Sequence, residues 1–390
     1  MVSGSAGGAV VVRPCVREDA AAAQALRGLA FGGPREADPS WVDSPGFTAA
    51  VAELGGAVVG FTRVWAFRQF FGGRAVPCGG VASVAVAPHA RGRGVASALL
   101  DDALVGMREA GQAVSALFPY VKRPYRARGW EHAGALERVR VPLAELRVPR
   151  VDVEVRPGTA ADLAGAQDAY LRTARDIDGM FDRTTPGFTV ERALAEDVFT
   201  VAVDGSGVRG YLVARRPDGS TVDVLDLVAD DVDTAHALLG QVASWAGYTP
   251  EAGLRVLDPA LLDLVLPSSV TRGAHVETWM LRVVDLPAAV AARGWPHAPD
   301  LAVDVEVVDE HAPWQAGRWR LTAEGGQVRA ERGGEGSVRL LARALGPWFA
   351  GAASSGQLRR SGLLDGDAEA ARALDRLVGG PGLPRLADAF

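Results

Sequence analysis

Two stretches of the chain share one rhythm: a short strand of alternating apolar residues runs into proline, and a helix follows. They read "VVVRPCVREDAAAAQ" from position 10 and "VEVRPGTAADLAGAQ" from position 153. Val10, Val12, Arg13, Pro14, Asp19, Ala21, Ala23 and Gln24 recur as Val153, Val155, Arg156, Pro157, Asp162, Ala164, Ala166 and Gln167 at one constant spacing. Eight matches in register predict a duplicated domain. In each copy the helix is expected to open around the aspartate, a good capping residue.

The rhythm changes after "VVDLPAAVAARGWPHAPD", where prolines and glycine interrupt it. Beyond that point "LAVDVEVV" alternates with period two, "GRWRLTA" and "QVRAER" follow at hairpin spacing, and helical stretches close the chain. The expected organisation is therefore three domains, residues 1–148, 149–287 and 288–390. The fold class is α+β with mixed sheets, the first two domains alike and the third small. Three domains also suit a length of 390 residues.

The stretch richest in chemistry is "GGVASVAVAPHARGRGVASALLDDALVGM". Residues 81–87 read as a buried strand ended by Pro88, and Ala96, Leu99, Leu100, Ala103, Leu104 and Met107 fall at helical spacing. A loop of arginine and glycine lies between. Unpaired backbone N–H groups at the start of the helix, with its dipole, would bind a phosphate or pyrophosphate, and Arg91 and Arg93 would add charge. The matching place in the second copy, "DDVDTAHALLGQVASWAG", carries Asp230, Asp231 and Asp233. Three carboxylates repel a pyrophosphate, so the second copy is expected to keep the fold without that ligand.

Composition narrows the setting. The chain is 48% hydrophobic and 23% charged, with a formal net charge of -6, which favours neither nucleic acid nor an anionic membrane as partner. Cys15 and Cys78 alone allow no disulfide framework, and the scattered histidines have no metal-ligand spacing, so no metal is expected. With so few cysteines a reducing cytoplasm is the simplest compartment, and neither a membrane-length apolar run nor a convincing leader is read. Lys122 is the only lysine among 41 basic residues, an arginine bias that suggests a GC-rich bacterial genome.

The pattern V-x-V-x-P followed by R-x-x-G-x-A, carried by Val84, Val86, Pro88, Arg91, Gly94 and Ala96, resembles that of the GNAT acyltransferases. The resemblance implies that the backbone from Val84, Ala85 and Val86 through Arg91, Gly92, Arg93, Gly94, Val95 and Ala96 holds acetyl-CoA as cosubstrate. It also implies that the strand preceding this loop splays from its neighbour to admit the pantetheine arm. In "ALFPYVKRPYRARGW" a tyrosine, glycine and aromatic residue follow the family's spacing, so Tyr125, with Gly129 and Trp130, is implied as the acid that protonates the departing thiolate. A tyrosine near its usual pKa, about 10, carries that proton at neutral pH.

A base is harder to place. The strand "VPCGGVASVAVA" contains no Asp, Glu or His, while Glu36, Asp38 and Asp43 sit in a loop that could equally be solvated surface. Asp38 and Trp41 are read as substrate-binding, the indole as a wall that attracts a cation. His89 is read as structural.

The three-part layout and a terminal Phe390 resemble, more narrowly, the enhanced intracellular survival (Eis) family of actinobacterial acetyltransferases, whose third domain is like a sterol carrier protein. That likeness implies a hexamer, a Phe390 carboxylate delivered as general base, and primary-amine acceptors such as aminoglycosides or lysine side chains. Leu386 and Phe390 then read as anchors of the tail, Asp388 as a neighbour tuning the site, and Gly379 to Gly382 as a bend. Tyr120, Lys122 and Arg123 depart from the family's pattern and are expected to reshape the acceptor pocket. An acyl-CoA-sensing or lipid-carrying protein without catalysis is the alternative reading.

Overall fold

The computed structural model describes residues 9–34, 36, 38–217, 219–257, 261–266, 273–379 and 383–390. The last part of the expected bend, residues 380–382, lies outside them.

The first copy contributes β1 (Val11–Pro14), α1 (Ala20–Phe31), β2 (Phe47–Leu54), β3 (Ala57–Phe71), β4 (Arg74–Val86), α2 (Val95–Glu109), β5 (Val114–Leu117), α3 (Arg123–Arg126) and β6 (Glu131–Pro142). The second contributes β7 (Glu154–Pro157), α4 (Leu163–Ala174), β8 (Val198–Asp204), β9 (Gly207–Arg215), β10 (Thr221–Ala229), α5 (Val232–Ala243), β11 (Glu251–Val256), α6 (Leu261–Val265) and β12 (Gly273–Val283). The element order repeats. So does a side-chain motif at each start: Arg13 holds Asp19 at 2.6 Å and the carbonyl of Pro14 at 3.2 Å, and Arg156 holds Asp162 at 2.6 Å and the carbonyl of Pro157 at 3.2 Å.

One detail differs from expectation. Neither aspartate caps its α-helix through the side chain. Each instead turns back to accept from a preceding backbone N–H, Val16 for Asp19 and Thr159 for Asp162, both at 2.9 Å. The paired arginine holds the carboxylate in that backward position.

The two copies share one sheet of twelve strands, in the order β1-β2-β3-β4-β5-β12-β6-β11-β10-β9-β8-β7. The long last strands cross over: β12 pairs antiparallel with β5 of the first copy, and β6 pairs antiparallel with β11 of the second. Between them β6 and β12 pair with each other from Gly273↔Arg140 to Leu281↔Glu131. Each copy thus completes the other's sheet, and no open edge is left at the middle.

The third part comprises α7 (Leu286–Ala292), β13 (Leu301–Val308), β14 (Gly317–Glu324), β15 (Gln327–Arg332), β16 (Val338–Leu341), α8 (Ala342–Ala350), α9 (Ser355–Arg360), β17 (Leu364–Gly366) and α10 (Ala368–Val378). The expected hairpin closes at Glu324↔Gln327 within a separate five-stranded sheet. Helix α8 lies directly on β12, where a Cβ on Gly346 would fall 2.2 Å from the Leu281 carbonyl oxygen. Only glycine lets the two backbones approach that closely. A buried ion pair, Arg282 with Asp309 at 2.8 Å, and a half-buried bridge from Glu131 to Arg126 and Arg343 complete the joint. A cavity of about 590 Å³ opens where the third part meets the other two, lined by Gly72, Asp178, Arg293 and Trp348 among others.

Candidate functional site

Strand β4 is longer than its expected 81–87 because a Gly72-Gly73 turn joins it to β3 as a hairpin, but the chemistry begins where expected. Its parallel pairing with β5 covers only Cys78↔Val114, Gly79↔Ser115 and Gly80↔Ala116. Strand β4 then runs on to Val86 while β5 stops at Leu117. Among the described residues no strand pairs with 81–86 on that side, so their backbone edge lines a gap. A bulge opposite Thr62 sharpens the departure, with Ser83 at φ 56°, a left-handed value unusual for serine.

At the end of β4 the turn Pro88–Ala90 leads into the arginine-glycine loop. Gly92 and Gly94 have φ of 76° and 82°, and a Cβ on either would point into open space. Their role is therefore conformational: the left-handed backbone aims the N–H groups at the start of α2 outward. Arg91, Gly92, Arg93 and Gly94 are exposed, Val84, Val86 and Ala96 half-buried, and Ala85 and Val95 packed in the core. These residues fit a pyrophosphate at the loop and an amide-bearing arm along β4. In the second copy β10 and β11 stay paired as far as Leu227↔Val256. There Asp231 caps α5 by accepting from Thr234 N at 2.8 Å, so its carboxylate occupies the place an anion would take.

Tyr125, on α3, is buried against Leu100, Leu104 and Leu117. Burial pushes its phenol up to about 12. Gly129 has φ 90°, and a Cβ there would lie 1.8 Å from Arg282 Nη1, so this glycine makes room for the guanidinium that locks β12 to the third part. Trp130 is fully buried and donates to Ser115 Oγ at 3.2 Å.

The tail returns to this region. Leu386 N donates to the Ala135 carbonyl at 3.0 Å, and Ala135 N to Pro384 at 3.1 Å, so residues 384–386 run beside β6. Arg385 N reaches Asp178 at 2.8 Å, and Arg255 donates to the Ala387 carbonyl at 2.8 Å. Asp388 is fully buried and held by Arg183 at 3.0 Å and by Arg192. Arg183 also binds Asp226 at 2.6 Å and lies 4.0 Å over the Tyr170 ring. Asp388 is thus an anchor of the tail rather than a neighbour tuning the site. Burial alone would raise its pKa, but the two guanidinium groups outweigh burial and bring it down to about 2.

Beyond this anchor the Phe390 ring settles over Gly80, where a Cβ would fall 2.8 Å from its edge. Phe67 and Phe118 flank it, with centroids 4.9 and 5.6 Å away. Gly80 is the last residue of β4 paired with β5, so Phe390 sits at the mouth of the gap. Leu117 packs with Tyr125 while its neighbour Phe118 packs with Phe390. Tyr125 belongs to the cluster built on Leu100 and Leu104 of α2, and Phe390 to the one that holds Phe67 and Phe181, so the two approach the end of β5 from separate packing groups.

Trp41 stands in an aromatic wall continuing from there, 6.2 Å from Phe47, which is 4.9 Å from Trp65. Asp38 lies outside it, exposed, accepting from Ser40 N at 2.9 Å. Glu36 and Asp43 are exposed, Asp43 paired with Arg17, and His89 is exposed beside the loop. The residues missed from sequence are those that seat the tail, Arg183, Arg192, Asp226 and Gly80, and also Arg63. Only Arg63 left a signal, a charge within the apolar run "VVGFTRVWAF". Among the described residues no cluster of three or more His, Cys, Asp or Glu could hold a metal, and no helix is long and apolar enough to cross a membrane.

Residues 11–133 match an acetyltransferase (GNAT) domain, and residues 286–386 a sterol carrier protein domain. An uncharacterized N-acetyltransferase of Streptomyces avermitilis is 30% identical over 337 residues, 79% of this chain and 80% of its own. A GCN5-related N-acetyltransferase from Kribbella flavida is 30% identical, covers both chains fully and superposes with a TM-score of 0.86. Eis1 from Mycobacterium abscessus, 24% identical over 98% of this chain and 100% of its own, shares the fold with a TM-score of 0.77. GNAT domains use acetyl-CoA, and the gap beside β4 with its glycine loop suits that molecule. The chain belongs to the GCN5-related N-acetyltransferases, and is an enzyme that joins a GNAT domain to a C-terminal domain of the sterol carrier type.

Proposed function

We propose that the protein transfers the acetyl group of acetyl-CoA to a primary amine, with the Phe390 carboxylate as general base and Tyr125 as general acid. The observation that carries this reading is the seating of the Phe390 ring on Gly80, at the point where β4 leaves β5. The strand lacks an acidic side chain, and the tail brings a carboxylate to it instead.

In this reading the first copy, 1–148, holds the cosubstrate, the second, 149–287, buttresses the tail, and 288–390 delivers it. The base takes a proton from the ammonium, and the freed lone pair attacks the thioester carbonyl. The tetrahedral intermediate collapses with cleavage of the carbon–sulfur bond, the Tyr125 hydroxyl gives its proton to the departing thiolate, and the extra N–H proton of the new amide restores the phenol. A phenol raised to about 12 stays protonated in the free enzyme across the neutral range, as an acid must. Holding amine and thioester in one cleft supplies the rest of the acceleration.

The test follows free thiol release from acetyl-CoA with a panel of polyamines, aminoglycosides and lysine peptides. The wild-type chain should turn over, and one residue added after Phe390 should lower kcat by about 100-fold or more while acetyl-CoA binding persists. Full activity of the extended chain would exclude the terminal carboxylate as base.

A further inference from the structure

We propose that the acceptor amine also carries an anionic group, a carboxylate or a phosphate, which Arg63 receives with support from Arg27. This rests on the acetyl-transfer reading of the same cleft and specifies its substrate class.

Arg63 lies on the face of β3 that looks toward the tail. Its pairing partner on β4 is Ala82, that of Trp65 is Gly80, and that of Phe67 is Cys78. Residues two apart in a strand share a face about 7 Å apart. The Arg63 backbone is therefore one same-face step along the sheet from the spot where Phe390 rests. Its guanidinium carbon lies 5.1 Å from the Phe47 ring centroid, 5.2 Å from Trp65 and 5.9 Å from Trp41. All three rings are half-buried, as is Arg63, so the group is walled in but reachable.

What the wall does not supply is a carboxylate. Aromatic faces attract the cation yet offer no acceptor to its N–H edges. Neither Arg63 nor Arg27 has a carboxylate within ion-pair distance among the described residues, and the Nε of each is buried without a hydrogen-bond partner. Arg27 Nη1 reaches only the neutral Gln24, at 2.8 Å. The fully buried guanidinium groups each have a carboxylate, Arg183 with Asp226 and Asp388, Arg282 with Asp309 and Arg293 with Asp178, while the half-buried Arg255, which also lacks one, is engaged by the Ala387 carbonyl. Two neighbouring arginines left without a counter-ion, beside the proposed base, make a cleft complementary to an anion. Burial, and for Arg63 the like charge of Arg27, lowers the pKa of both, Arg63 to about 10, so Arg63 remains charged at neutral pH and both gain from a counter-ion. The expected wall for a cation is thus already faced by the chain's own cation.

The spacing suggests an amine and an anion about 7–10 Å apart, which a chain of five or six carbons spans. The test compares hexylamine, 1,6-diaminohexane, 6-aminohexanoate and 6-aminohexyl phosphate as acceptors for wild type, Arg63→Gln and Arg63→Lys. Wild type should prefer an anionic amine over hexylamine by about 10–100-fold in kcat/KM. Arg63→Gln should bring that ratio near unity with the affinity for CoA unchanged, and Arg63→Lys should retain part of it. The better of the two anions identifies which group the site takes. Equal or better use of hexylamine or the diamine, or a preference that survives Arg63→Gln, would overturn the proposal. Calorimetry with hexanoate, which has no amine to acetylate, decides the matter apart from turnover. Binding to wild type that Arg63→Gln abolishes supports the anion site even if no amine releases thiol, which would count against the transfer reading alone. No hexanoate binding would overturn the anion site.

Discussion

Arg183 and Asp388 lie 205 positions apart in the chain and meet at 3.0 Å with neither side chain exposed. Arg183 adopts a left-handed backbone, φ 45°, which is strained for an arginine. Its contacts with Asp226, Tyr211 and Asp388 hold it there. The tail is thus clamped to the second copy while its last ring is presented to the first.

Breaking the clamp should be costly. Removing one partner of a buried ion pair leaves the other charge unpaired, at about 3–5 kcal/mol. Asp388→Ala should lower the unfolding midpoint, raise hydrogen exchange at residues 383–390 and depress kcat more than the affinity for acetyl-CoA. Unchanged exchange in the tail would remove the anchor role.

Acid should loosen the same joint. The folded-state pKa of Asp388, about 2, is below its ordinary value of 3.8, so its stabilising contribution is complete above about pH 4 and fades as pH falls through 2. Asp388→Asn should flatten that part of the stability profile, measured by denaturant unfolding between pH 5 and 2.

Tyr125→Phe should reduce kcat by about 10²–10⁴-fold with little change in acetyl-CoA affinity, because the loss falls on proton delivery to sulfur. The raised phenol, about 12, also means that kcat/KM should show no alkaline limb from Tyr125 below about pH 11. A limb near pH 10 that disappears in the phenylalanine variant would contradict this assignment.

A methyl group on Gly80 would fall 2.8 Å from the Phe390 ring and 2.3 Å from Phe67. Gly80→Ala should therefore push the terminal residue off its seat, lowering kcat by about 10–100-fold at a stability cost of about 1–3 kcal/mol. Thiol-release kinetics and a melting curve measure both effects.

Gly94→Ala tests the loop by a different route. The site is spacious, so the penalty is the left-handed backbone alone, about 1–2 kcal/mol. The Kd for acetyl-CoA should rise by about tenfold. Gly106→Ala, on an exposed face of α2 with open space around it, is the control and should stabilise the helix by about 0.5–1 kcal/mol with affinity unchanged.

Much of this protein was legible from order along the chain. The repeat of Arg13 and Asp19 as Arg156 and Asp162, the hairpin of the third part and the arginine-glycine loop before α2 are local features. Their turn glycines, strand alternation and helical spacing act over a few residues, so the sequence by itself determined two like copies, a third small part and a glycine turn that opens α2. The contrast between Gly92 and Gly94 in one copy and Asp230 and Asp231 in the other was equally visible.

The rest depends on contacts between distant segments, which no local pattern encodes. That β6 and β12 cross between copies follows from sheet pairing decided only when both copies are folded. Where the tail docks is settled by Arg183, Arg192 and Arg255, each of which reaches a tail residue more than 130 positions away. The sequence could say that a base was missing from the strand before the loop and that the chain ended on a phenylalanine. Only the tertiary structure brought that ring to Gly80, because burying charges and an aromatic edge is favourable only where distant segments have already closed a cavity for them.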